Sequence, residues 1–260
     1  MDLGVQGKVA LVSAASKGLG YGVARALAAE GARLSICSRD EAQIAGAAQK
    51  LIDETRTEVI YTACDVTQLA DIQRWVENSA AAFGGVDMLL VNAGGPPPGL
   101  IKDFTDAQWQ AAFELTLMSA VRMIRTTLPY MKNGGAILTI TSPTVKEPIE
   151  RLGLSSVMRA GVAALVKTLA DELAGDHIRV NNLIPGRIDT DRVRELDQAT
   201  AERSGRAFDD VRAETVQKIP LKRLGTIDDF GAAAAFLLSP AASYITGAAL
   251  RVDGGVMRSI

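Results

Sequence analysis

The sequence predicts one doubly wound α/β domain on a parallel sheet of about seven strands, spanning residues 1–260. Short apolar, strand-like runs alternate with longer helical patterns almost throughout, and no Pro/Ser-rich linker divides the chain. Apolar strands separated by helices argue for a parallel sheet covered on both faces. The first strand, at 8–12, is a continuous apolar run. A Gly-containing turn leads into an Ala-rich helix to about Glu30, and Gly31 is its stop signal. A second strand over 32–37 and a second helix over 40–54 repeat the unit. Strands follow near 58–63, 87–91, 135–141, 178–183 and 248–252, with helices near 68–83, 107–131, 155–174 and 227–238. Residues 190–222 break the rhythm, being charged, helical and not followed by a strand. An insertion beyond a strand's carboxyl end commonly covers the ligand crevice of such a sheet, so about 190–222 is expected to form a substrate lid.

Composition narrows the function classes. The net charge is −2 with no dense Lys/Arg block, which leaves attraction to nucleic acid or an anionic membrane without an electrostatic basis. No apolar run reaches the roughly 18–20 residues of a bilayer span, and the first residues lack a secretory pattern. Cys37 and Cys64 are the only cysteines, which predicts buried thiols in a reducing cytoplasm. His177 is the only histidine, so a two-His metal site is excluded and no metal is expected.

Residues 13–20 (Ser13, Ala14, Ala15, Ser16, Lys17, Gly18, Leu19, Gly20) join the first strand to the first helix. Gly18 and Gly20 let a phosphate approach the backbone at a helix amino terminus, where free N–H groups favour an anion. The second strand ends Cys37-Ser38-Arg39, with no acid placed for a ribose 2′-hydroxyl. Arg39 with Lys17 and Ser38 suits a 2′-phosphate, which favours NADP(H) over NAD(H). The other reading of Lys17 and Arg39 is two ordinary surface cations.

These residues resemble the TGxxxGxG loop of the short-chain dehydrogenase/reductase family, with Ala14 in place of a Gly. Asp65-Val66 is similar to that family's adenine-binding Asp, and Asn92-Ala93-Gly94 to its NAG motif. Pro185-Gly186 with Ile188 and Thr190 resembles its PGxxxT segment near the nicotinamide, and Asp253-Gly254-Gly255 its carboxyl-terminal signature. The matches fall in order across nearly the whole chain. The resemblance, closest to the 3-oxoacyl-[acyl-carrier-protein] reductase-like branch, implies a Rossmann-like sheet, a nicotinamide cofactor and a homo-oligomer (a dimer or a homotetramer). Ala14 would be strained if its position needs φ > 0.

The resemblance also implies a catalytic Ser, Tyr, Lys and Asn. Ser142 is retained. Thirteen residues on, the Tyr position is Ser155, the Lys position is Arg159, and the Asn position is Thr116. Ala160-Gly161 fixes the register. Arg159 keeps a charge and five donors but cannot usefully lose a proton. Ser155 is a far weaker acid than a phenol of pKa about 10. Lys146, four residues after Ser142, is a candidate substitute proton donor if desolvated near Arg159. Glu147, Glu150 and water are the others, and the plain alternative for Lys146 is a solvated loop residue. The stiff run 95–99 (Gly-Pro-Pro-Pro-Gly) is expected to wall the substrate pocket.

The function expected is an NADP(H)-dependent oxidoreductase interconverting a carbonyl and an alcohol, on a 3-oxoacyl thioester or a small ketone. Two alternatives stay open. One is a degenerate member that binds NADP(H) without turnover, as a sensor or an inactive subunit. The other is non-redox chemistry in the same pocket.

Overall fold

The computed structural model describes residues 2–259. Its seven strands are β1 (Val9–Ser13), β2 (Arg33–Ser38), β3 (Val59–Ala63), β4 (Met88–Val91), β5 (Gly135–Ile140), β6 (Ile178–Pro185) and β7 (Ala249–Val252). All pair in parallel in the order β3-β2-β1-β4-β5-β6-β7. The order reverses between β1 and β4, which opens a crevice at their carboxyl ends.

The helices, in chain order, are α1 (Gly18–Ala29), α2 (Glu41–Thr55), α3 (Leu69–Phe83), α4 (Asp106–Phe113), α5 (Ser119–Thr127), α6 (Gly153–Glu172), α7 (Asp191–Ser204), α8 (Phe208–Lys218) and α9 (Ile227–Leu238). Every residue of β1 is buried. Successive side chains of a strand point to opposite faces, so Ala10 and Val12 enter one core while Val9 and Leu11 enter the other. The first core is closed by α1, α2 and α9 through Leu27, Leu51 and Phe230, the second by α3, α5 and α6 through Trp75, Met123 and Val166. This explains why the strands read as apolar runs. Where α1 meets α9 the backbones nearly touch, and a Cβ on Gly231 would lie 2.4 Å from the Gly22 carbonyl oxygen.

Two elements differ from the sequence expectation. The helix expected over 107–131 runs from α4 through a π-helical turn at Glu114–Met118 into α5 and ends in a 3-10 turn at Leu128–Tyr130. One extra residue in a turn shifts the apolar phase without erasing it, so periodicity did not expose the break. The other is α6, which has the length and the mean hydropathy, 1.2, of a membrane span. It carries Arg159 and Lys167 and packs one face along β6.

The insertion after β6 forms α7 and α8, joined by a turn at Gly205, φ +64°. These two helices bury only Asp197, Ala201 and Val211. Charge does much of the anchoring. Asp197 pairs with Arg187 on the segment leaving β6, and its second oxygen lies 3.9 Å from Arg212 of α8. Arg212 also bonds Asp189 at 2.7 Å.

Candidate active site

The site lies at the carboxyl ends of β1, β2, β4, β5 and β6. The first N–H groups of α1 have no side-chain cap, because Lys17 at the cap position offers no acceptor. Uncapped donors at a helix amino terminus are an anion cradle. Gly18 has φ +61° and faces the Thr190 methyl, so the loop and the segment after β6 meet here. Gly20 is needed for close approach, since a Cβ there would lie 2.3 Å from the Ala14 carbonyl oxygen. A Cβ on Gly94 would meet nothing within 4 Å, so the crevice above it is open. Free donors beside open space fit a dinucleotide phosphate.

Ala14 itself has φ +51°, the left-handed region in which a side chain is strained. Its neighbour Ser13 corrects an expectation. Expected to touch cofactor, Ser13 is wholly buried; its hydroxyl donates to Leu90 O and Asn92 O and accepts from Asn92 N at 2.8 Å. It is a strut that fixes the Asn92-Ala93-Gly94 loop against β1. Ile188 turns its side chain into the core, which leaves only its backbone for a cofactor. Pro185 ends β6, and Gly186 is pressed against Asp253, whose Cα would lie 2.4 Å from an added Cβ.

On the adenosine side, Ser16 and Leu19 are half-buried on the loop, and Val66 is buried beside Asp65. Asp65 Oδ1 accepts from the Thr67 N–H and hydroxyl, which orients the carboxylate. Arg39 is exposed beside half-buried Ser38 and makes no ion pair among the described residues. Lys17 does not stand with Arg39 as expected. Its Nζ bonds Asp191 of α7 at 2.8 Å, and that hydrogen bond holds the ammonium pKa above its usual value. Both partners are exposed, so the tie is weak and exchangeable.

The chemical end is formed by β5 and α6. Ser142 caps the turn Pro143–Val145, its Oγ accepting from Thr144 N at 3.3 Å, and α6 packs on that turn. Ser155 and Arg159 stand one helical turn apart on α6. The Ser155 hydroxyl is not tied to the helix, whereas that of neighbouring Ser156 donates to Leu152 O at 2.9 Å. Arg159 Nη1 donates to Ile140 O at 2.8 Å and to Thr141 O at 3.4 Å, at the end of β5. Burial and then the nearby Arg192 pull its pKa down to about 10, so it stays cationic at neutral pH.

Thr116 lies on the π-helical turn, and its buried Oγ1 has no protein partner. It lines a cavity of about 10 Å³ with Asn92, Ala93, Ser119 and Arg159, close to the space one water occupies. Thr116, Arg159 and the Asn92 loop thus come together, with Ser155 one turn before Arg159 on α6.

Lys146 stands apart from them. It is exposed, so the desolvation that would make it a proton donor is missing, and the solvated reading holds. Glu147 is engaged elsewhere, accepting from the Arg258 and Ser259 N–H groups, which hold its pKa below the ordinary value. Glu150 is exposed. The stiff segment 95–99 docks on the start of α6, with Gly99 N donating to Arg151 O at 2.7 Å.

Arg192 was not singled out by sequence pattern. It donates to Pro96 O at 3.1 Å and lies against Gly95. Its position, a cation in the first turn of a helix where the dipole disfavours one, was the legible signal.

Sheet order, loop and crevice define a dinucleotide-binding oxidoreductase fold. The chain matches the family model described as Enoyl-(Acyl carrier protein) reductase over residues 13–257, and it belongs to the short-chain dehydrogenase/reductase family. It is 34% identical over 253 residues to the 3-oxoacyl-[acyl-carrier-protein] reductase of Salmonella typhimurium, covering 96% of this chain and 98% of that one. Among solved structures, L-sorbose reductase of Gluconobacter frateurii with NADPH and L-sorbose superposes with TM-score 0.95 at 32% identity, covering 100% of both chains. An NADPH-bound short chain oxidoreductase of Pseudomonas aeruginosa PAO1, described as containing an atypical catalytic center, gives TM-score 0.89 at 27% identity over 99% of this chain and 100% of that one.

Proposed function

We propose that this chain is an NADP(H)-dependent oxidoreductase interconverting a carbonyl and an alcohol, in which water, not a side chain, handles the proton. The observation that carries this reading is the fixed charge of Arg159 beside the Asn92 loop, one helical turn after Ser155, on a helix packed against the turn that Ser142 caps. When bound, NADPH supplies hydride from C4 of its nicotinamide to the carbonyl carbon, the C–O π pair moves to oxygen, and water protonates that oxygen, leaving NADP⁺, alcohol and hydroxide. Gly18, Leu19 and Gly20 hold the cofactor phosphates through backbone N–H groups. Arg39 and Ser38 take the 2′-phosphate, with Lys17 joining when it leaves Asp191. Ser142 and Ser155 offer donors to the carbonyl oxygen, and Arg159 places positive charge where negative charge develops. Thr116 and Arg159 line a cavity of about 10 Å³, and a single water there would carry the proton inward. The NADPH-bound relatives support the cofactor choice, and the Pseudomonas protein shows a named relative with an atypical centre.

Fluorescence titration with NADPH and NADH tests the first half, with NADPH expected to bind more tightly. Stopped-flow oxidation of bound NADPH by a panel of ketones, oxo acids and 3-oxoacyl thioesters tests the second. Binding without turnover of any member would support the alternative of a cofactor-binding, inactive subunit, a reading favoured by the loss of a phenol at position 155. Binding of neither cofactor would refute both.

A further inference from the structure

Positive charge gathers around the loop 92–96 from Arg159 and Arg192, with only the exposed Glu195 in ion-pair range of either. Arg159 uses only Nη1 on protein, and its Nε and Nη2 make no hydrogen bond to the described residues. Half-buried Arg179, by contrast, spends both Nη1 and Nη2 on the carbonyls of Leu237, Leu238, Ser239 and Ile245. Arg159 therefore keeps one whole edge, Nε with Nη2, uncommitted, where Arg179 spends both terminal nitrogens on carbonyls. No carboxylate among the described residues lies within ion-pair distance of it.

Arg192 approaches the same loop from α7. Its guanidinium lies 3.6 Å from where a Gly95 Cβ would stand and donates to Pro96 O. Its one acidic neighbour, Glu195, is 3.6 Å away with a side chain 65% exposed, a contact worth little. Arg192 also sits in the first turn of α7, so the helix dipole opposes its charge. The proximity of the two cations is felt at Arg159, whose acidity Arg192 raises. Two cations beside one loop favour an anionic group over a neutral one.

We infer that the carbonyl substrate carries a carboxylate, and that Arg192, with the free edge of Arg159, selects it. This rests on the oxidoreductase reading above. A planar carboxylate matches two parallel guanidinium donors, and the stiff proline run holds Arg192 at its carbonyl.

The test separates the inference from that reading. Oxamate, a carboxylate that cannot accept hydride here, is titrated into the NADPH complex by cofactor fluorescence, with inorganic phosphate as the second probe. Oxamate is expected to bind, and Arg192→Gln to weaken it by about tenfold or more, with Arg192→Lys between the two. Arg203→Gln, exposed at the far end of α7, controls for overall charge and leaves binding unchanged. Oxamate binding that is absent, or insensitive to Arg192→Gln, would overturn the inference whatever the turnover. Phosphate binding in place of oxamate would overturn the carboxylate assignment. In turnover, oxo acids are compared with their methyl esters, and Arg192→Gln should cut the acid-to-ester ratio of kcat/KM by about tenfold, mainly through KM. If NADPH and oxamate bind but neither acid nor ester is reduced, the oxidoreductase reading fails while the carboxylate site stands.

Discussion

Removing the Asp197 carboxylate should free the two-helix insertion while leaving the sheet intact. Asp197 is 1% exposed, the only charged side chain among the buried described residues. It faces Arg187 and Arg212, whose side chains are 29% and 24% exposed. Stripping one partner from a fully buried pair costs about 3–5 kcal/mol. Here the remaining cations reach water, and Arg212 keeps Asp189 at 2.7 Å, so Asp197→Ala should cost about 2–3 kcal/mol. That loss falls on α7 and α8, which otherwise bury only Ala201 and Val211, and not on the two large cores. Local opening should therefore become about 30- to 150-fold more populated. Hydrogen exchange by mass spectrometry reads this directly, as faster exchange in peptides from 191–218 and unchanged protection in β1 and β4. Asp197→Asn, which keeps volume and one acceptor, should fall between. Unchanged exchange in 191–218 would refute the anchoring role, and equal loss of protection in β1 and β4 would refute its being local.

Four further outcomes follow from the geometry. Ala14→Gly removes a Cβ held at φ +51° and should stabilise by about 0.5–1 kcal/mol after the added entropy of the unfolded chain; a lower urea midpoint would contradict the strain. Asp229, held well below the usual carboxylate range by Arg223 and then by the Thr226 N–H, closes the capping box of α9. Its stabilisation is complete above the unfolded value of about 3.9 and is lost as pH falls toward the folded one. Asp229→Asn should therefore cost about 1 kcal/mol near neutrality and flatten the acid limb of the stability curve, and an unaltered limb would refute it. Lys146→Ala should leave kcat within about twofold, since the side chain is exposed; a drop of a hundredfold would restore Lys146 as proton donor. Single-turnover reduction should be flat between about pH 6 and 9, because no side chain of the site donates the proton and Arg159 stays charged; a step near 6.5 would reveal a titrating base that the site does not show.

What was legible in the sequence had local causes. Each strand lies within two residues of its expected place, because burial on both faces demands an apolar run and Gly31, φ +82°, must end a helix. The strain at Ala14 was likewise readable, since the loop needs a left-handed residue there. The errors arose where the role depends on a partner distant in sequence. Ser13 became a strut only because β4 brings Leu90 and Asn92 against it. Lys17 turned from Arg39 to Asp191 because α7 folds back over the loop. The π-helical turn that carries Thr116 leaves a phase shift too small to read, and Arg192 gained meaning only beside Pro96.

The replaced positions are energetically coherent. Losing a positioned general acid forfeits a factor of about 10²–10⁴, or roughly 3–5.5 kcal/mol of barrier. A preorganised donor aimed at a developing oxyanion is worth about 2.7–4 kcal/mol, the role proposed for Ser142, Ser155 and Arg159. Lysine at 159 would hold cofactor equally well, but an ammonium is a point charge that sheds its proton readily when buried. Arginine cannot, so the site keeps its field when a second cation, Arg192, stands nearby. A tyrosine at 155 would lie in the field of both cations, which would lower its pKa and leave part of it ionised. A phenolate would then offer the carbonyl oxygen an acceptor where a donor is required. A serine hydroxyl stays protonated in that field, so the exchange of Tyr for Ser is the one that tolerates the exchange of Lys for Arg.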